Sequence, residues 1–115
     1  LVISYGLCFD IISEDFDSTF ENLGLVNCIF IKPLSMDFCE KIFSEYQNII
    51  VVEDHQNHGS LCYQLKNIAF DLKYSGKINS INLNDDFFQP GLLEDVLDNE
   101  GFSKHKLKTR INELL

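Results

Sequence analysis

The sequence predicts an α/β fold, with a parallel sheet covered by helices on both faces as a three-layer α/β/α sandwich. Three observations predict it. Short apolar runs alternate with amphipathic stretches along the whole chain. The run "NIIVVED", 48–54, is apolar at consecutive positions, which suits a strand buried on both faces. The runs lie far enough apart for a crossover helix between each pair, which favours parallel strands joined by right-handed crossovers.

The elements follow in order. "LVISYG", 1–6, is a short apolar run closed by glycine and reads as a buried strand. In "FDIISEDFDSTFENLG", 9–24, Ile12, Phe16, Phe20 and Leu23 fall at helical spacing. Gly24 is expected to end that helix in the left-handed conformation. "LVNCIFIKP", 25–33, reads as a second strand over 25–31, stopped by Pro33, which has no ladder donor. Ser35 caps a helix carrying Phe38, Ile42, Phe43 and Tyr46.

The third strand is 48–54. Leu61, Leu65, Ile68 and Leu72 then mark a helix ended by Gly76, and "KINSINLN", 77–84, reads as a fourth strand. "DDFFQPG" is a loop by its Pro-Gly pair, with Phe87 or Phe88 expected to plug the edge of the core. A short helix over "LLEDVLDNEG" closes at Gly101. Ser103 then caps a last helix with a Leu107, Ile111, Leu114 stripe. Lys104, Lys106, Lys108 and Arg110 read as its solvated face.

With 115 residues, one domain spanning 1–115 is expected. The start at Leu1 rather than Met reads as a piece of a longer chain. A formal net charge of −9 disfavours nucleic acid and anionic membranes as partners. No apolar run approaches the roughly 20 residues that span a bilayer. No basic start precedes an apolar signal core, and the reading is a cytoplasmic protein. Cys8, Cys28, Cys39 and Cys62 form no C-x-x-C pair and lie in apolar contexts, which fits free buried thiols.

The stretch "VVEDHQNHGSL", 51–61, carries the chemistry candidates. Glu53, Asp54, His55, His58, Gly59 and Ser60 lie where a strand hands over to a helix, the edge at which α/β sheets bind ligands. His55 and His58, three apart, with Asp54 have a metal-ligand spacing, but no third firm ligand accompanies them. A polar strand-to-helix turn accounts for the same residues. Gly59 and Ser60 precede free helix amides that can hold an anion, yet no phosphate-loop pattern is present. Cys62, four residues from His58, reads as a packed thiol rather than a nucleophile. No G-x-S-x-G elbow occurs. The expected catalytic, cofactor-binding and metal-binding residues are therefore none, with 53–60 as a candidate ligand or turn loop.

The ordered runs "VISYG", "FIKPLS", "VVEDHQNHGS", "DDFFQPG" and "GLLEDVLDNEGFSKHKLKTRINELL" resemble the C-terminal domain of transketolase-class enzymes. The class holds transketolase, deoxyxylulose-phosphate synthase and the beta subunits of 2-oxo-acid dehydrogenases. "KPL" at 32–34, "VED" at 52–54 and the spacing from Asp85 to Gly91 carry most of the resemblance, which covers nearly the whole chain. Gly59 matches the first glycine of the family's loop, while Ser60 and Cys62 stand where further glycines are usual.

The resemblance implies a transferase of carbohydrate metabolism that moves two-carbon ketol units with thiamine diphosphate and magnesium. It implies that both groups are held by upstream catalytic domains and not by this part. This part would serve assembly, as in a homodimer or larger assembly, and be inactive alone. It also implies parallel strands in the order 2-1-3-4, with the strand at 25–31 at an edge and the family's antiparallel edge strand missing. Two other readings remain: a regulatory or metabolite-binding module using 53–60, and a stand-alone interaction domain.

Overall fold

The computed structural model describes all 115 residues. In chain order they form β1 (Val2–Ser4), α1 (Gly6–Ser13), α2 (Phe16–Thr19), β2 (Leu25–Asn27), α3 (Met36–Glu45), β3 (Asn48–Gln56), α4 (Leu61–Asp71), β4 (Lys77–Leu83), α5 (Leu93–Asn99) and α6 (Lys104–Glu113). The four strands make one parallel sheet in the order β2-β1-β3-β4. That is the expected order, with the strand that starts at Leu25 at an edge.

One apolar run builds both cores, because successive side chains of a strand point to opposite faces. Ile49 and Val51 of β3 join Ile3, and pack with Cys39, Ile42 and Phe43 of α3 and Leu61 and Leu65 of α4. Ile50 and Val52 point the other way. They meet Val2, Ile81, Cys8 and Ile12 of α1, Phe102, and Leu107 and Ile111 of α6. Helices thus cover both faces, and β3 lies between two layers. The ladder aligns Val2 with Ile50 and Ser4 with Val52. Ser4 is fully buried, and its hydroxyl donates to the Val52 carbonyl at 2.8 Å, so its burial leaves no unpaired group.

Several local expectations are corrected. The helical stretch 9–24 is two helices, α1 and α2, broken at Glu14 and Asp15. The left-handed residue after them is Asn22, at φ 64°, not Gly24. Asparagine tolerates this region because its short polar side chain bonds locally. β2 ends at Asn27, and Ile29 and Phe30 beyond it are exposed rather than paired. β3 runs on to Gln56. α4 ends at Asp71, and Lys73 at φ 55° makes the turn before Gly76.

Phe87 and Phe88 do not plug the core. Phe87 is wholly exposed and Phe88 about half so; the plug is Phe102, fully buried after the left-handed Gly101. Ser35 caps α3 as expected, accepting from the Phe38 amide at 3.3 Å. Ser103 does not cap α6 through its side chain, since its hydroxyl donates to Asp98 Oδ1 at 2.7 Å.

The basic positions of α6 are not a free solvated face. Lys104 Nζ reaches Glu14 at 2.7 Å and Asp15 at 3.3 Å, and Lys108 Nζ reaches Asp15 at 2.7 Å. Lys106 pairs with Asp98 at 2.9 Å. Arg110 donates to the Gly101 carbonyl and lies 5.3 Å over the Phe102 ring. These contacts pull the carboxylates of the α1–α2 break toward α6, and the Lys108 ammonium holds the Asp15 carboxyl below the usual range.

Two substitutions test this division of inside from outside. Ile49→Ala, at a fully buried site between two helices, is expected to lower unfolding free energy by about 2–5 kcal/mol. Phe30→Ala, at an exposed site, should stay within about 0.5 kcal/mol of the parent. Urea titrations followed by circular dichroism distinguish the two. Equal losses would show that the apolar run after β2 is part of the core.

Candidate functional site at the switch point

The sheet order reverses between β1 and β3. β1 leads outward to β2, while β3 leads the other way to β4. The carboxyl ends of these two central strands flank the crevice where open α/β sheets usually hold a ligand. Tyr5 follows the end of β1 there, and β3 delivers Glu53 and Asp54.

Glu53 is fully buried at that point. Its Oε2 accepts from the Leu61 amide at 2.9 Å and its Oε1 from the Cys62 amide at 3.0 Å. The Tyr5 hydroxyl donates to Oε2 at 3.1 Å. The N-terminus of a helix leaves four amides without intrahelical partners and carries partial positive charge. At α4 all four are accounted for. Glu53 takes those of Leu61 and Cys62, and Ser60 Oγ takes that of Tyr63 at 3.0 Å. The Ser60 amide donates to the Asn57 carbonyl at 3.4 Å. Glu53 therefore occupies the place an anionic ligand would take.

The other predicted residues separate. Asp54, His55, His58 and Gly59 are exposed, while Glu53 and Ser60 are buried. His55 Nδ1 lies 2.7 Å from the Gln56 carbonyl oxygen, so that nitrogen carries the proton. The His58 ring sits 6.5 Å from the Tyr63 ring. Gly59 has φ 76°, a conformation glycine adopts without strain, and it turns the chain from β3 into α4. No three His, Cys, Asp or Glu side chains come together in a way that would hold a metal ion. Cys62 is fully buried, and burial pushes its thiol pKa up, so it has no thiolate to offer.

Residue-by-residue reading of the sequence did not assign Tyr5 or the Leu61 and Cys62 amides. The signal for the amides was local: an acid at the end of an apolar run, followed by a serine just before a helix. Tyr5 was not signalled, because its partner lies 48 residues away.

A diphosphate needs free amides or a bound cation. The amides of α4 are taken, and the start of α1 faces the charges of Glu53 and Asp54, which help raise the Tyr5 and Cys8 pKa values. The residues present do not fit thiamine diphosphate or its magnesium.

No protein-family model matches the chain. It is 32% identical over 92 residues to the 1-deoxy-D-xylulose-5-phosphate synthase of Clostridium beijerinckii, covering 76% of this chain and 15% of that protein. The same enzyme of Dictyoglomus thermophilum is 32% identical over 91 residues, covering 79% and 15%. That of Listeria innocua is 27% identical over 104 residues, covering 90% and 16%. The chain thus spans about one-sixth of the length of these relatives. A solved chain described as "Split gene transketolase, inactive beta4 tetramer" superposes with a TM-score of 0.81. It is 13% identical and covers 99% of this chain and 38% of that one.

The chain has the fold of a transketolase-class C-terminal domain. The likeness to the synthases supports the same class in sequence. No helix is long and apolar enough to cross a membrane.

Glu53→Ala strands two buried amides and is expected to cost roughly 2–5 kcal/mol, with Tyr5→Phe costing about 1 kcal/mol. A loss below 1 kcal/mol for Glu53→Ala in a urea titration would sink the account of Glu53 as the lock of this junction.

The pH dependence has a definite sign. Burial, then the Glu53 charge, raises the Tyr5 pKa above its ordinary 10.0. Burial, then the Asp54 charge, pushes the Cys8 thiol up to about 12 from 9.0. Above pH 9 the unfolded chain releases protons that the folded chain keeps, so stability falls as pH rises. Each group contributes at most about 1.4 kcal/mol per pH unit. Thermal unfolding scanned from pH 7 to 11 should show this decline, and Cys8→Ala together with Tyr5→Phe should lessen it, the rest coming from Cys28, Cys39, Cys62 and Tyr74, which burial also raises.

Proposed function

We propose that this chain is the non-catalytic C-terminal domain of a thiamine-diphosphate-dependent transferase of the transketolase class, one that moves two-carbon ketol units. The observation that carries the reading is the Glu53 lock. A domain with this fold has its usual ligand crevice closed by its own carboxylate, so its contribution lies in surfaces and assembly rather than in a reacting group. Thiamine diphosphate and magnesium would be held by other domains, with which this one assembles. That placement agrees with the share of the synthases it covers. The loop 53–60 is proposed as a structural turn whose outer residues, His55 and His58, face neighbouring domains.

The test has two parts. Reading the coding sequence before Leu1, and the genes beside it, is expected to reveal the cofactor-binding domains on the same chain or a partner chain. Finding neither overturns the enzyme reading. In the whole enzyme, His55→Ala is expected to weaken assembly or thermal stability while leaving turnover of the assembled form within about threefold. A large loss of turnover in an intact assembly would make the loop part of the active site.

A further inference from the structure

α5 is amphipathic, yet none of its residues is buried. Leu93, Val96, Leu97 and Glu100 at its end are spaced i, i+3, i+4 and i+7, so they share one face of the helix. That face does not pack flush on the domain. It lines a cavity of about 180 Å³, whose wall is completed by Leu7, Leu83, Phe88, Phe102 and Asp54. The cavity lies past the carboxyl ends of the strands, on the sheet face covered by α1 and α6. The helix whose amides Glu53 occupies, α4, packs on the other face.

A wider space of about 380 Å³ adjoins it, lined by His55, Asp86 and the wholly exposed Phe87 among others. Asp54, Leu83 and Phe88 belong to both walls. The two spaces therefore form one crevice, with an apolar inner part and a mouth that carries acids.

Charge decides what such a crevice takes. Asp54, Asp86 and Glu100 stand in its walls, and none of them is in an ion pair. No lysine or arginine stands there with them. A cleft of one charge sign with apolar walls focuses its field, because those walls screen less than water does. This crevice repels carboxylates and phosphates and attracts cations. It does not suit a bare metal ion, since no three acid, histidine or cysteine side chains converge to hold one. Its inner part has room for a ring, because an apolar cavity of about 150 Å³ takes up benzene. An organic amine meets both demands. Its apolar body lies against α5 and Phe102, and its ammonium comes to Asp54, the carboxylate common to both walls.

We infer that the crevice between α5 and the ends of β3 and β4 is a binding site for a small organic cation, a primary amine with an apolar body about the size of one aromatic ring. The inference goes beyond the ketol-transfer reading and does not rest on it.

Amide NMR spectra of the 115-residue chain, titrated with phenethylamine, test it. Saturable shifts are expected at 54–56, 83–88 and 93–102, with a Kd of about 1 mM or tighter. Phenethyl alcohol, which has the same body and no charge, should bind roughly tenfold more weakly or worse, and phenylacetate should not bind. Added salt should weaken the amine. Asp54→Asn keeps the size of the side chain and removes its charge, so it should bring the amine down to the level of the alcohol. Val96→Phe puts a ring into the cavity and should abolish binding of both, and each variant's own spectrum reports whether it is folded. The absence of saturable shifts overturns the inference, as does an alcohol that binds as tightly as the amine. Amine binding that survives Asp54→Asn overturns it too. So do shifts scattered over the acids of the whole surface, which would mean only that a chain of net charge −9 attracts cations everywhere.

Discussion

A carboxylate buried among apolar side chains is costly unless its oxygens are paired, and a helix that begins in the interior is costly unless its first amides are paired. In this domain each defect cures the other. Glu53 enters at the end of β3, and the positive end of α4 receives it through the Leu61 and Cys62 amides. The Tyr5 hydroxyl adds a third donor from the end of β1. One side chain therefore fixes the spacing of the two central strands and the docking of the helix that leads to β4. Glutamine would keep the shape but supply one acceptor oxygen in place of two.

The same contact decides what the crevice can do. Switch points bind ligands because strand ends diverge there and leave helix amides unspent. Here the amides are spent internally, and Ser60 Oγ takes the one that Glu53 does not reach. The likeness to a solved transketolase chain at 13% identity shows how little of the sequence the fold needs. An apolar strand flanked by amphipathic helices suffices for the layers. What the crevice then does depends on residues such as Glu53 and Tyr5.

How much of this could be read from residues alone follows from the range of the interactions. β3 was legible because its signal is local: consecutive apolar positions require burial on both faces, and that requires helices above and below. The helix cap at Ser35 is equally local. The break at Glu14 and Asp15 was not legible, because the apolar spacing runs through it without a flaw. Its contacts are Lys104 and Lys108, about ninety residues later. The length of β2 was misread for a related reason. Ile29 and Phe30 look like core, yet they sit outside it, and nothing in their own neighbourhood says so. Within the candidate loop, the identity of Glu53 as the buried member among several polar neighbours became visible only once α4 was placed over it.

Three of the eight lysines find carboxylate partners within the chain, and all three lie on α6. The lysines of α6 are consumed by carboxylates at the α1–α2 break and at the end of α5, so they hold the last helix over its core. Such exposed pairs contribute modestly to stability, but together they give α6 one seat. The lysines around the start of β4 have no such partners, and neither do the acids just beyond its end. The exposed apolar side chains follow the same geography, with Phe70, Phe87 and Phe88 on the β4 side and Ile29 and Phe30 past β2. The interior is closed, and among buried side-chain polar atoms Asp15 Oδ1 alone lacks a hydrogen-bond partner, while Lys104 and Lys108 both face the other oxygen of that carboxylate.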